Sequence, residues 1–402
     1  MSDGVTEARA PTLFGLDHTT AVLCFLVLVD TFGYAVVLPL LPFAAESQGA
    51  SIYAIGAMFA SYSLFQLGAA PVLGALGDRF GRRPVLLFSQ AGSAAGFALL
   101  LGPGGFGVLL LSRTVDGLTA GNISLVYAAV LDHFPREAWG RRFAYLSSAT
   151  GGGILLGLIV SSLIARFGLA AAASLALVLT GMTLVVTWRL LPETRQRQPT
   201  TSVRDAWRRA AASGQRAALG RIGLSVLVST VAQTAFLLAL PIYLARLLGY
   251  DAEQATRFIA VLFVVAAAFQ VTLVPRLIER FTARGAASIG FVFLGGGGLI
   301  VALATGFSLV IAGATALVCG VAILSPSLPA LLGERNRSLD EGVLMGLNQS
   351  VVSAGQMIGP LLGYAALALS TTAYGVVAIG LACAGFGALH TLRGESTSGL
   401  RG

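Results

Sequence analysis

Residues 74–86 read GALGDRFGRRPVL. Four charged residues, Asp78, Arg79, Arg82 and Arg83, stand among three glycines, Gly74, Gly77 and Gly81. The glycines permit close backbone approach and positive φ, while the charges are of both signs and can pair across the ends of helices. Apolar runs flank the stretch, from approximately 53 to 76 and 84 to 102, and each has the length that about 20 residues need to cross a hydrocarbon core. The pattern is a charged turn between two membrane spans.

The rest of the chain has the same character. Of its 402 residues 56% are hydrophobic and 11% charged, against about 25% charged in an ordinary soluble domain. A water-soluble protein is therefore excluded, and 50 glycines suit close helix packing in lipid. Twelve apolar spans are expected, near 19–42, 53–76, 84–102, 105–131, 142–165, 169–191, 222–245, 255–275, 285–305, 307–332, 343–369 and 373–392. The first 18 residues lack the basic run and the small-residue site of a cleaved signal peptide, so none is expected. All 26 basic residues are Arg, and with both termini in the cytoplasm 22 of them fall on that side, three on the other, and Arg113 within span 4. Topology and anionic lipid account for the net charge of +8, which leaves no nucleic-acid footprint to explain. Cys24, Cys319 and Cys383 lie far apart in apolar stretches, with no spacing for a disulfide frame or a zinc site. No metal, no cofactor and no enzyme chemistry is expected, since neither a Walker loop nor a Ser/His/Asp arrangement occurs.

The longest polar break, Pro192 to Arg221, divides the spans six and six: 1–191 as one bundle, 192–221 as a cytoplasmic linker, 222–402 as a second bundle. The halves repeat. At an offset of 201, Leu76, Asp78, Arg79, Phe80 and Arg83 meet Leu277, Glu279, Arg280, Phe281 and Arg284; at 202, Pro39 meets Pro241, Gly157 meets Gly359 and Asp132 meets Glu334. Two six-helix halves related by an axis along the membrane normal form an architecture that exposes a central site alternately to either side.

On these residues the chain is identified as a member of the major facilitator superfamily. GALGDRFGRRPVL resembles the motif between spans 2 and 3 of that family, and Tyr62 to Leu87 resembles its form in drug:proton antiporters. Asp30 to Pro42, DTFGYAVVLPLLP, is similar to the span-1 motif of those antiporters; Arg113 to Gly121, RTVDGLTAG, to their span-4 motif; and Asp132 to the acid that ends span 4. Tetracycline efflux proteins are among the relatives it resembles. The likeness implies two six-helix bundles and a cytoplasmic gate latch made by Gly74, Asp78, Arg79, Gly81, Arg82, Arg83 and Asp132. In that latch Asp78 meets the N-terminal end of span 11 near Gly342 to Met345, and Arg79 pairs with Asp132. The alternative is that these arginines are positive-inside anchors only. The antiporter motif of span 5 is incomplete, with Leu158 where Pro is expected and Ser161 and Ser162 where Gly is expected, although Gly153 and Gly157 remain. Span 11 keeps Gly355, Gly359, Pro360 and Gly363, which allow a bend and a sliding contact between halves. The acids of tetracycline antiporters in spans 3 and 9 correspond to Gly96 and Leu294, which argues against a metal-chelated tetracycline as cargo.

Three ionisable residues lie within the spans, where a charge costs at least ~2.5 to 3.5 kcal/mol: Asp30, Arg113 and Asp116. Both acids are about 16 Å deep by helical rise, near the midplane. Arg113 and Asp116 are three apart on one helix face and can pair, and Arg113 can reach Asp30 where spans 1 and 4 line the cavity. The trio suits exchange of a proton beside a fixed guanidinium, or it is a permanent brace between spans 1 and 4. Tyr34, Asn122, Gln233 and Phe236 lie on spans that the family places around its cavity and are the expected substrate contacts. The expected function is proton-coupled export of amphipathic drug-like molecules from a prokaryotic inner membrane, by a monomer whose partners are its small-molecule substrate, protons and lipid. A carrier dedicated to one metabolite, and a non-transporting scaffold or sensor of the same fold, are the alternatives.

Overall fold

The computed structural model describes residues 12–13, 16–135, 138–193, 216–335 and 341–391. Most of the expected linker 192–221, the chain ends with Arg9, Arg393 and Arg401, and Arg136 and Arg337 lie outside the described residues. A two-residue antiparallel pairing, β1 (Thr12–Leu13) with β2 (Leu16–Asp17), leads into helices. In the first half these are α1 (His18–Val37), α2 (Leu41–Ser47), α3 (Ile52–Phe80), α4 (Arg82–Leu99), α5 (Phe106–Leu118), α6 (Asn122–His133), α7 (Trp139–Ile164) and α8 (Gly168–Leu190). The second half has α9 (Arg216–Leu248), α10 (Ala252–Thr272), α11 (Val274–Ala302), α12 (Phe307–Arg335), α13 (Glu341–Leu369) and α14 (Thr371–His390).

Among the described residues ten stretches are long and apolar enough to cross a membrane. One of them, Arg141–Leu190, holds both α7 and α8, where spans 5 and 6 are expected. α4, the expected span 3, is helical but more polar, carrying Arg82, Arg83, Ser89, Gln90 and Ser93. Among the described residues each expected span is thus largely helix. Side-chain caps start several of them: Asp17 accepts from the Thr20 N–H at 3.1 Å, Ser51 from Ala54 at 3.2 Å, and Asp251 forms a reciprocal box with Gln254. Asp17 also receives Arg142 Nη2 from α7 at 3.0 Å. Burial pushes the Asp17 carboxyl up, but the Thr20 N–H and hydroxyl and the Arg142 guanidinium outweigh it and hold the group below the ordinary 3.8.

Span 4 departs from the expected continuous helix. α5 ends at Leu118 and α6 begins at Asn122, so Thr119, Ala120 and Gly121 interrupt it. The interruption is satisfied from α4: the Ser89 hydroxyl donates to the Thr119 carbonyl, and the Gly121 N–H donates back to Ser89 Oγ at 3.1 Å. Close contacts hold the same stretch, since a Cβ on Gly117 would lie 2.5 Å from the Tyr62 carbonyl oxygen and one on Gly121 2.7 Å from Leu73.

The repeat is visible in the backbone. Gly81, between α3 and α4, has φ 101° and ψ 153°; Thr282, its counterpart at an offset of 201, has φ 63° and ψ 164° and kinks α11. A β-branched residue at positive φ is strained, so tertiary packing keeps the elbow in the second half where glycine permits it in the first. Helix pairing repeats too. Gly153 on α7 packs against Leu28 and Thr31 of α1, and Gly355 on α13 against Leu227 and Thr230 of α9; Gly157 packs on Phe32 and Ala35, and Gly359 on Val231 and Thr234. These glycines brace contacts within each half. The contact across the halves falls instead to Gly56 of α3, where a Cβ would lie 3.2 Å from the Pro360 carbonyl and 3.0 Å from Tyr364 Cβ.

The halves meet mainly at one end. Near the start of α3 the Phe59 and Tyr364 rings stack at 6.0 Å, and one apolar core runs from Leu40, Leu41, Ile55 and Met58 into Leu240, Tyr243 and Phe258. At the Gly81 end, Leu23, Leu73, Leu86, Leu125 and Leu146 of the first half form a core of their own. Among the described residues, the apolar core that joins the two halves lies at the Ser51 end, while the core at the Gly81 end is of the first half alone.

Candidate functional site

The buried charges gather where α1, α3, α4, α5 and α6 converge in the first half. Arg113 is 2% exposed, and its Nη1 lies 3.2 Å from Asp116 Oδ2, as their spacing on one helix face predicts. Nη2 lies 3.2 Å from Ser112 Oγ, which donates to the Gly96 carbonyl at 2.8 Å, and the guanidinium carbon sits 5.9 Å from the Phe97 ring centroid. Among the described residues Arg113 Nε has no hydrogen-bond partner. The Ser93 side chain of α4 lies beside Asp116. A buried pair held by this many contacts is positioned, but one unsatisfied donor leaves it short of fully compensated.

Asp30 is engaged differently. Asn122, the first residue of α6, donates from Nδ2 to Asp30 Oδ1 at 2.6 Å, so the partner of Asp30 across spans 1 and 4 is an amide, while Arg113 is committed to Asp116. Tyr34 and Tyr62 pack beside the cluster with ring centroids 5.7 Å apart. Tyr34 and Asn122 therefore belong to the charged site. Gln233 is half-buried on α9, and Phe236 is buried in the second half, where its ring stacks on Tyr374 at 5.7 Å and its carbonyl accepts from the Tyr374 hydroxyl. Phe236, Tyr374 and Gly363 line a separate small cavity. The four expected substrate contacts are thus distributed over both halves.

Gly96 has a particular relation to Asp116. A Cβ at position 96 would stand 3.2 Å from Asp116 Cβ and 3.2 Å from the Ser112 carbonyl oxygen, so a side chain on α4 there would crowd Asp116 of α5. Leu294, the other position of interest, is fully buried in apolar core. Ser161, where the resemblance predicts glycine, is also fully buried and donates to the Val36 carbonyl at 2.8 Å, tying α7 to α1.

The charges of the expected latch pair differently. Arg82, not Arg79, holds Asp132, with Nε 2.7 Å from Oδ2; it also pairs with Asp78 and donates to the Gly74 carbonyl at 3.2 Å. The reason is helical geometry: Arg82 opens α4 and turns inward beneath Gly77, whereas Arg79 is exposed with its guanidinium 5.1 Å from the Phe80 ring. Arg83 donates to the Trp188 carbonyl of α8, and Gly81 faces Glu193, which a Cβ would strike. The side chains of 341–347, including the expected Asp78 partner region Gly342 to Met345, lie outside the described residues.

Ser89, Gln90, Ser93, Ser112 and Thr187 enter the site without having been singled out from the sequence. Gln90 donates from Nε2 to Thr187 Oγ1 at 2.9 Å. Three polar residues between 89 and 93 of an apolar helix, two of them four apart on one face, are the signal that marks them.

A family model described as Major Facilitator Superfamily matches residues 23–251, more than half of the chain. The chain belongs to that superfamily. Within it, the chain is 25% identical over 357 residues to the tetracycline resistance protein, class E, of Escherichia coli, covering 86% of this chain and 87% of that protein. Its fold matches the human organic anion transporter MFSD10 (TETRAN) with a TM-score of 0.72 and 21% identity, covering 92% and 99% of the two chains. A POT family transporter crystallised with a thioalcohol-conjugated peptide matches with a TM-score of 0.78 and 14% identity, over 95% and 96%. The major facilitator fold, an all-helical membrane transporter fold of two six-helix bundles, is therefore that of this chain.

Proposed function

We propose that this superfamily member is a proton-coupled secondary transporter that exports amphipathic drug-like small molecules by alternating access. The observation that carries the reading is the buried Arg113–Asp116 pair beside Asp30 and Asn122, charges placed inside two membrane spans at a cost that a purely structural helix contact does not require. Asp116 and Asp30 are the proton-exchanging acids, and Arg113 is the fixed positive charge that biases them. Residues 1–191 and 222–402 rock as two bundles about the linker 192–221. With the Arg-rich Gly81 end in the cytoplasm of a prokaryotic inner membrane, the closed Ser51 end makes this the inward-open arrangement. Arg82, Asp78 and Asp132 then form the latch component that re-engages span 11 when the cytoplasmic side shuts.

Similarity to tetracycline resistance proteins supports export of drug-like cargo. The absence of an acid at Gly96 and Leu294 favours lipophilic neutral or cationic compounds over a metal-chelated tetracycline. A carrier of one organic metabolite is favoured by Ser161, which replaces the span-5 glycine with a hydrogen-bonded brace. The test is flux in proteoliposomes with imposed pH and voltage, comparing wild type with Asp116→Asn and Asp30→Asn. The reading expects drug addition to discharge an imposed pH gradient in wild type and much less in Asp116→Asn. A wild-type protein that moves no protons with any drug overturns it, and a response to a single metabolite class selects the second reading.

A further inference from the structure

Apart from the Arg113–Asp116 pair, the first half contains a second polar feature. Asp30, Gln90 and Asn122 form the polar wall of a cavity of about 10 Å³, enclosed otherwise by apolar side chains of α1, α4 and α6. That is room for one sphere the size of a water molecule. Gln90 is 3% and Asn122 8% exposed. Each has already used its amide nitrogen, Gln90 on Thr187 and Asn122 on Asp30, and in each the buried carbonyl oxygen, Oε1 or Oδ1, has no hydrogen-bond partner among the described residues. The Asn122 amide cannot be turned round without setting its oxygen against the Asp30 carboxylate. The cavity therefore offers oxygen acceptors from three residues and one formal negative charge. Among the described residues Asp30 has no cationic partner, because Arg113 is paired with Asp116.

We infer that this cavity is a binding site for one dehydrated monovalent metal cation of the size of Na+. Carboxylate and carbonyl oxygens suit hard cations, and no sulfur or imidazole stands in the wall to select a transition metal. A single charge neutralises Asp30, whereas a divalent ion would leave a positive charge at membrane depth. The cavity adjoins the break in span 4, where α5 ends at Leu118 and Asn122 begins α6, and it is the Asn122 side chain that the break brings to the cavity wall. Ser89, the neighbour of Gln90, holds that break open by bonding both Thr119 and Gly121. The site goes beyond proton coupling: the Arg113–Asp116 pair is not part of it, and a metal ion and a proton compete for Asp30 alone.

Equilibrium binding of radioactive Na+ to the purified full chain in Na+-free choline buffer tests the inference. Wild type is expected to bind saturably, about one ion per chain, with K+ competing more weakly. Asp30→Asn and Gln90→Leu lower affinity at least ~10-fold, the size of effect seen when even outer-shell metal contacts are lost. Gln90→Glu, which keeps an oxygen at the cavity and can accept from Thr187, retains binding, and so does Asp116→Asn. Should Asp30→Asn fail to fold, the contrast between Gln90→Leu and Gln90→Glu decides. No saturable binding by wild type, equal competition by K+, or binding unchanged by Gln90→Leu overturns the site. Proton-driven drug flux in the same Na+-free medium reports on the transport reading separately, so either can fail alone.

Discussion

Replacing Asp116 by Asn isolates a guanidinium inside the protein. Arg113 is 2% exposed, its carboxylate partner is 3.2 Å away, and its Nε has no partner among the described residues. At that separation the attraction is about 5 kcal/mol for an effective dielectric near 20. Measured losses on breaking a buried pair by removing one member are about 3–5 kcal/mol. Arg113 keeps Ser112 Oγ and the Phe97 ring, which places Asp116→Asn near the lower bound, at about 3 kcal/mol. Arg113→Met strands the carboxylate instead and costs a similar amount. The double variant Arg113→Met/Asp116→Asn removes both charges and should be less destabilised than the sum of the singles by about 2 kcal/mol or more. Unfolding by sodium dodecyl sulfate in mixed micelles supplies the three free energies. Strict additivity would refute the pairing. Flux separates stability from function, because the double variant should regain stability while proton-coupled transport stays lost.

Thr282→Gly should stabilise the chain by about 1–3 kcal/mol in the same unfolding assay, since it relieves a threonine at φ 63°, while Gly81→Ala should destabilise it by at least as much because its Cβ also meets Glu193. Arg82→Ala should cost about 2 kcal/mol or more through the loss of Asp78, Asp132 and the Gly74 carbonyl, whereas Arg79→Ala should change stability by less than about 0.5 kcal/mol; equal effects would contradict the observed pairing. Because the folded Asp17 carboxyl titrates below its ordinary 3.8, its contribution is present above that value and is lost as pH falls through the lower, folded value. Melting curves recorded from pH 6 to pH 3 should therefore show a smaller acid loss in Asp17→Asn than in wild type.

Much of the fold is legible because lipid imposes length and apolarity on each crossing, and the charged turn at 74–86 with its faint copy at 277–284 marks both halves. Arg113 and Asp116 declare themselves as charges within a span, and their spacing predicts their contact. Periodicity does not disclose what three-dimensional packing decides. The break at Thr119 to Gly121 depends on a hydroxyl from Ser89, 30 residues earlier than Thr119. The choice of Arg82 over Arg79 depends on where α4 begins, one residue past a positive-φ glycine. Gln90 is marked only by its companions Ser89 and Ser93, because an amide within a span reads as a packing contact until its neighbours in space are known.

The fit of Asp116 against Gly96 bears on how such proteins should be compared. At this point in the membrane α5 supplies the carboxylate and α4 leaves it room, since a Cβ at Gly96 would press on Asp116 Cβ at 3.2 Å. Were a relative to carry its acid on α4 at this level instead, columns of aligned letters would score one residue lost and an unrelated one gained. A search for relatives that share the chemistry should therefore weigh occupancy of the chamber before identity along the chain.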